Sequence, residues 1–103
     1  MNDTKYNGWT NYATWRVNLE MFDGLDYSDI PVLTRYTEPS TYEVAEYLKD
    51  WAEESISADA TPEGLALDYA LAFLSEVNWH EIAQHFVDDF TEAMQEEERA
   101  END

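Results

Sequence analysis

Residues Thr61 to Val77 read T-P-E-G-L-A-L-D-Y-A-L-A-F-L-S-E-V, and the reading of this stretch decides the fold. Thr61 suits an N-cap, Pro62 tolerates the missing N–H of a first helical residue, and Glu63 favours the positive end of a helix dipole. From Leu65 to Leu74 only Asp68 is charged. A helix apolar almost all round is ordinarily buried on every side. The stretch is therefore expected to be a central helix with the other segments packed around it.

The flanking segments are also helical in pattern. Asn78-Trp79-His80-Glu81 has the spacing of a capping box. Beyond it Trp79, Ile82, Ala83, Phe86, Val87, Phe90, Ala93 and Met94 trace one apolar face,. The end, Glu96 to Asp103, has no apolar side and carries acids against the dipole, so residues 97–103 are expected to fray. Upstream, Ser40-Thr41-Tyr42-Glu43 is another capping box. It opens a second helix with Val44, Leu48, Trp51 and Ile56 inward and Ala45 and Ala52 beside them. A first helix is expected from Tyr12 to Phe22, capped by Asn11 and stopped by Gly24, with Tyr12, Trp15, Leu19 and Phe22 on one face. Arg16 and Glu20 are i,i+4 partners on it.

Between these two helices Leu25 to Pro39 contains two prolines and the apolar run Ile30-Pro31-Val32-Leu33. One isolated strand makes no sheet, so the segment is expected to be a long ordered loop pinned by Ile30, Val32, Leu33 and Tyr36. A loop of this length is uncommon and often functional. Residues 1–10 read as an irregular lead-in with a turn at Asn7-Gly8 and with Tyr6 and Trp9 packed back on the body. The expected fold is all-α: one acidic domain over residues 1–103, a compact bundle of about four helices with a long loop between helices 1 and 2.

The chain is long enough to bury a core without staples. It has no cysteine, hence no disulfide and no thiolate metal site,. Met1 to Thr10 lacks the apolar run of a signal peptide, and no stretch approaches a membrane span. Twenty-four acids face five bases, a formal net charge of −19. Residues 50–103 hold sixteen of the acids and a single base, Arg99. Such density costs stability by self-repulsion. Yet 44% of the chain is hydrophobic, too much for a disordered acidic tail.

Catalytic and metal signatures are weak. His80 and His85 are five apart, which places them ~140° apart around a helix, so the near miss to H-E-x-x-H cannot seat zinc on one face. Asp23, Asp26 and Asp29 do not fit a calcium loop. There is no G-x-S-x-G and no Gly-rich phosphate loop. The reading is a protein that is not an enzyme and uses no cofactor and no metal. Direct nucleic-acid binding is opposed by electrostatics.

The acids themselves are patterned. Glu43, Glu46, Asp50, Glu53 and Glu54 recur at steps of three and four on the second helix, and Asp88, Asp89, Glu92 and Glu96 lie off the apolar face of the last. Solvated helix faces ordinarily mix Glu with Lys, and here the cations are nearly absent. A helix rises ~1.5 Å per residue, so acids at this spacing recur every ~4.5–6 Å, against ~3.4 Å per phosphate along one DNA strand. These nine residues are the candidate partner-binding site of a DNA mimic that fills the basic cleft of a DNA-binding protein. The alternative is an acidic interaction module that docks a basic partner without imitating DNA, anchored by Trp9, Tyr27 or Tyr36. Adaptation to high salt is a third reading. A homodimer would lengthen the negative surface, with Trp51 or Met94 as candidates for its interface.

Two stretches carry a resemblance. Asn11-Tyr12-Ala13-Thr14-Trp15, continuing through Val17 and Leu19, resembles the N-Y-x-T-W motif near the start of a family of small acidic phage- and plasmid-borne proteins. Val77-Asn78-Trp79-His80-Glu81-Ile82-Ala83 resembles a second motif near their C-terminal end. The family has no settled biochemical role, so the resemblance supplies no functional residues. What it implies is a mobile-element origin and a place in the cytoplasm of a bacterial or archaeal host cell. Small acidic proteins of such elements include inhibitors of restriction and CRISPR systems. The resemblance thus points the DNA-mimic reading toward a host-defence target. Tyr12 and Trp15, three apart, are expected in the core.

Overall fold

The computed structural model describes residues 5–59 and 65–101. It is an all-α bundle with α1 at Tyr12–Val17, α2 at Thr41–Asp59, α3 at Leu65–Leu74 and α4 at Trp79–Glu101. Its extents of 57 × 37 × 21 Å make a flat, elongated slab. The expected N-terminal signals of the third helix, Thr61, Pro62 and Glu63, lie outside the described residues.

The core belongs to α2 and α4. Val44, Leu48 and Ala52 of α2 meet Ile82, Ala83, Phe86, Val87 and Phe90 of α4, all buried. The Val, Leu, Ile and Phe side chains among them each contribute about 1.5–3 kcal/mol on full burial. Thr41 Oγ1 donates to Gln84 Oε1 at 3.1 Å. Farther along α2, Ile56 lines a small apolar hollow with Phe73 and Leu74 of α3, just ahead of the start of α4. The two long helices therefore run antiparallel. Ser40 caps α2 through the Glu43 amide at 3.2 Å.

The helix apolar on all sides is not central. Among the described side chains of α3 only Leu74 is fully buried, Leu71 is partly open and Tyr69 is 68% exposed. α3 packs on α1 and α2. The long helices carry matched amphipathic faces and bury one another, which leaves the ten-residue α3 as a bridge between them. Mean apolarity predicted burial, but connectivity and length decided the position.

The first helix differs in register. α1 continues from Asn18 to Phe22 as a π-helical turn. In an α-helix Val17 and Phe22 would point ~140° apart. A π-turn brings residues five apart to the same side, and both are buried. The core face of this segment is thus Ala13, Thr14, Val17 and Phe22. Tyr12 and Leu19, expected inward, are each 44% exposed, and Trp15 is half-buried. Phe22 sits in an aromatic cage, 5.6 Å from Trp51, 6.3 Å from Trp79 and 6.5 Å from Phe86. Trp51, also expected inward, is 39% exposed because it covers Phe22 from the outside.

The connection from Gly24 to Ser40 is an ordered loop. It contains a short 3-10 turn at Tyr27–Asp29, closed by a reciprocal capping box between Asp26 and Asp29. These two acids, examined as calcium ligands, serve the backbone. Ile30 and Leu33 pin the loop into the core, and Tyr27 meets Phe90 edge-on at 5.9 Å. Tyr36, expected as a fourth pin, is 89% exposed. At the other end, α4 continues to Glu101; residues 102 and 103 of the tail expected to fray lie outside the described residues. Arg35 holds Glu97 through two bonds of 2.6 and 2.8 Å, and Arg99 sits in the last turn, where a cation favours the dipole,.

Tyr6 and Trp9 bond each other reciprocally across Asn7-Gly8. Both turn residues have positive φ, 47° and 88°, the requirement of a type I′ turn that Asn-Gly satisfies. Tyr6 leans on Tyr12 and Trp15, and Trp9 on His85 at 4.7 Å.

Candidate functional site

The carboxylates of α2 occupy the side away from its core positions. Taking ~100° per residue, Glu43, Glu46, Asp50, Glu53 and Glu54 fall within an arc of ~100°, opposite Val44, Leu48 and Ala52. All are exposed except Glu53, which is half-buried. Five acids over the twelve residues from Glu43 to Glu54 average one per ~4 Å of helix axis, in steps of ~1.5 to 6 Å. On α4, Asp88, Asp89, Glu92 and Glu96 are exposed; at ~100° per residue Asp88 and Glu92 turn away from Phe86 and Phe90, while Asp89, seven residues from Ile82, falls within ~20° of it and flanks the core face. Four acids over the nine residues from Asp88 to Glu96 again average ~4 Å per interval, in steps of ~1.5 to 6 Å, against the ~3.4 Å phosphate repeat.

The structure does not treat the nine alike. Asp88 accepts from Gln84 Nε2 at 2.8 Å. Gln84 in turn holds Thr41, so Asp88 lies beside the junction with the start of α2. Asp89 turns to the opposite edge of α4, where it lines a shallow hollow with Trp9, Phe22, Leu25 and His85. The ion pairs among the described residues take Glu20, with Arg16 at 3.0 Å, and Glu97, with Arg35. Neither acid is among the nine.

Glu81, which lies off the apolar face of α4, belongs to a different set. Its Oε1 accepts from the Thr10 amide at 2.8 Å. Asn78 caps α4 by accepting from the Glu81 amide at 3.1 Å, and its Nδ2 donates to Thr10 Oγ1 at 2.9 Å. The Asn78 amide donates to Thr14 Oγ1 at 2.9 Å, and that hydroxyl donates to Asn11 Oδ1 at 2.7 Å. Asn11 caps α1 through the Thr14 amide and reaches the Glu76 carbonyl with its Nδ2 at 2.8 Å. The N-Y-A-T-W and V-N-W-H-E-I-A stretches thus meet, though over sixty residues apart. Their polar residues form one clasp fixing the start of α1 to the start of α4. The Asn-to-Thr spacing of three is that of an N-cap and its N3 residue; the link to Asn78 is long-range and had no local signal. The placement explains these polar residues by structure, and it puts Tyr12 outside the core.

Sequence reasoning also missed a cleft of about 400 Å³ between the 34–39 loop and α4. Phe90, Met94 and Pro39 supply its apolar lining, with Thr91, Gln95, Glu38 and Glu98 around them. Of the aromatic anchors considered, Trp9 packs on His85 and Tyr27 on Phe90. Only Tyr36, at this cleft, stands clear of the body. Among the described residues no three His, Cys, Asp or Glu side chains gather as a metal site, and no helix is long and apolar enough to cross a membrane. His80 is exposed while His85 stacks on Trp9. No protein-family model, no curated protein and no solved structure matches this chain.

Proposed function

We propose that the protein is a DNA mimic, an inhibitor that occupies the basic DNA-binding surface of a host defence protein of the restriction or CRISPR type. The observation that carries this reading is the exposure of eight of the nine carboxylates along the two long helices, outside the described ion pairs. A solvated face ordinarily mixes such acids with Lys, and here the acids of each helix average one per ~4 Å of axis. The rows ride on paired helices whose core is well packed, so the charges are preorganised, as an inhibitor displacing a stiff duplex requires. Association with a cationic cleft would be fast and would weaken steeply with salt. The mobile-element resemblance of the two clasp motifs supports the host-defence setting.

The experiment is capture from host lysate at low salt with the tagged full chain, followed by elution with duplex DNA. Release of a DNA-binding protein by DNA is the expected result. A partner that stays bound under excess DNA would replace mimicry with docking at a separate surface.

A further inference from the structure

We propose that the cleft between the 34–39 loop and α4 seats an arginine-bearing extended segment of the basic partner. The proposal rests on the reading above only in taking the partner to be basic. It names a second contact, chemically distinct from the carboxylate rows. Arg35 is held by Glu97 in a two-bond fork, so its charge is compensated within the protein. The remaining charges on the cleft are Glu38 and Glu98, neither of which is in a described ion pair. The cleft is therefore net negative around an apolar lining of Phe90, Met94 and Pro39. Tyr36 presents nearly its whole ring at the lip.

These features match one side chain. Arginine has an aliphatic stem for Met94 and Phe90, a planar cation that stacks on an aromatic face, and a fork of donors for carboxylates. Lysine offers a point charge that stacks less well. A nucleic acid would meet repulsion from Glu38 and Glu98, and an apolar helix would bury those acids and the Thr91 and Gln95 side chains without partners.

The test is an NMR titration of the isotope-labelled full chain with two capped peptides, Gly-Arg-Gly-Arg-Gly and Gly-Lys-Gly-Lys-Gly, at about 0.15 M ionic strength, where diffuse attraction is largely screened. Amide shifts should concentrate at residues 34–39 and 90–98, and the arginine peptide should bind more tightly. Tyr36→Ala leaves the net charge unchanged and removes an exposed ring, so folding is unaffected. It should weaken the arginine peptide about two- to fivefold, the range of an exposed cation–π contact. Asp68→Asn with Glu76→Gln, exposed acids away from the cleft, should leave that affinity unchanged. Shifts spread along both carboxylate rows, equal binding of the two peptides, or no effect of Tyr36→Ala would each overturn the proposal. Peptide binding at the cleft together with failure of DNA elution would sink mimicry and uphold the cleft. DNA elution with no cleft response would do the reverse.

Discussion

Replacing Thr14 by valine should destabilise the fold more than replacing it by serine, although valine preserves the branched shape. Thr14 is fully buried. Its hydroxyl accepts from the Asn78 amide at 2.9 Å and donates to Asn11 Oδ1 at 2.7 Å. Thr14→Val removes both bonds. Asn11 keeps the Thr14 amide as a donor, but the Asn78 amide loses its acceptor. An unsatisfied donor in a partly buried site costs ~1–3 kcal/mol, and the lost bond to Asn11 adds ~0.5–1.5. The sum is ~1.5–4.5 kcal/mol, with a middle value of about 3. Thr14→Ser keeps both bonds and gives up one buried methyl, about 1 kcal/mol. At ~4–8 °C per kcal/mol for a domain of this size, the middle value lowers Tm by roughly 12–24 °C for Thr14→Val, against roughly 4–8 °C for Thr14→Ser. Thermal melts by circular dichroism, with urea titrations to check that the slope is unchanged, read the order directly. A Thr14→Val protein as stable as the parent, or more stable than Thr14→Ser, would refute the clasp as a stabilising element.

Phe22→Ala should cost ~3–5 kcal/mol, since it empties the cage of Trp51, Trp79 and Phe86,; a loss under 1 kcal/mol in a urea titration would contradict the π-turn placement. Arg35→Ala removes an ion pair whose side chains are 57% and 41% exposed, so the loss should stay below ~1 kcal/mol at low salt and shrink further at high salt. Raising NaCl from about 0.02 to 0.5 M should raise Tm, because a chain of net charge −19 repels itself and salt screens the repulsion,. A Tm that falls with salt would mean that attractive pairs outweigh repulsion.

The long helices were legible in the sequence because each has one periodic apolar face, and Val44, Leu48, Ile82, Phe86 and Phe90 all occupy it as the spacing predicts. The exposure of the α2 acids followed from the same periodicity, since positions opposite a core face are outward whatever the helix packs against; Asp89, seven residues from Ile82, instead flanks the core face of α4. The place of α3 was not legible: a helix apolar on all sides carries no directional signal, and Tyr69 and Leu71 were left outside by the pairing of its longer neighbours. The face of the first helix was misread because a π-turn shifts every later residue, and nothing in Asn18 to Phe22 announces one. The clasp of Thr14 with Asn78 and the cleft beside Tyr36 join residues far apart in the chain. Local patterns register such contacts only as unexplained polar or aromatic residues.

Placement of charge, rather than its amount, is the central claim, and two charge-matched variants test it most directly. One neutralises the rows with Glu46→Gln, Asp50→Asn and Glu92→Gln. The other neutralises three exposed acids elsewhere, Asp68→Asn, Glu76→Gln and Glu101→Gln. Each is measured for capture of a host DNA-binding protein that duplex DNA releases. The row variant should lose most of that capture while the control keeps it. Equal loss in both variants would show that net charge alone drives binding, and would contradict DNA mimicry by these two helices.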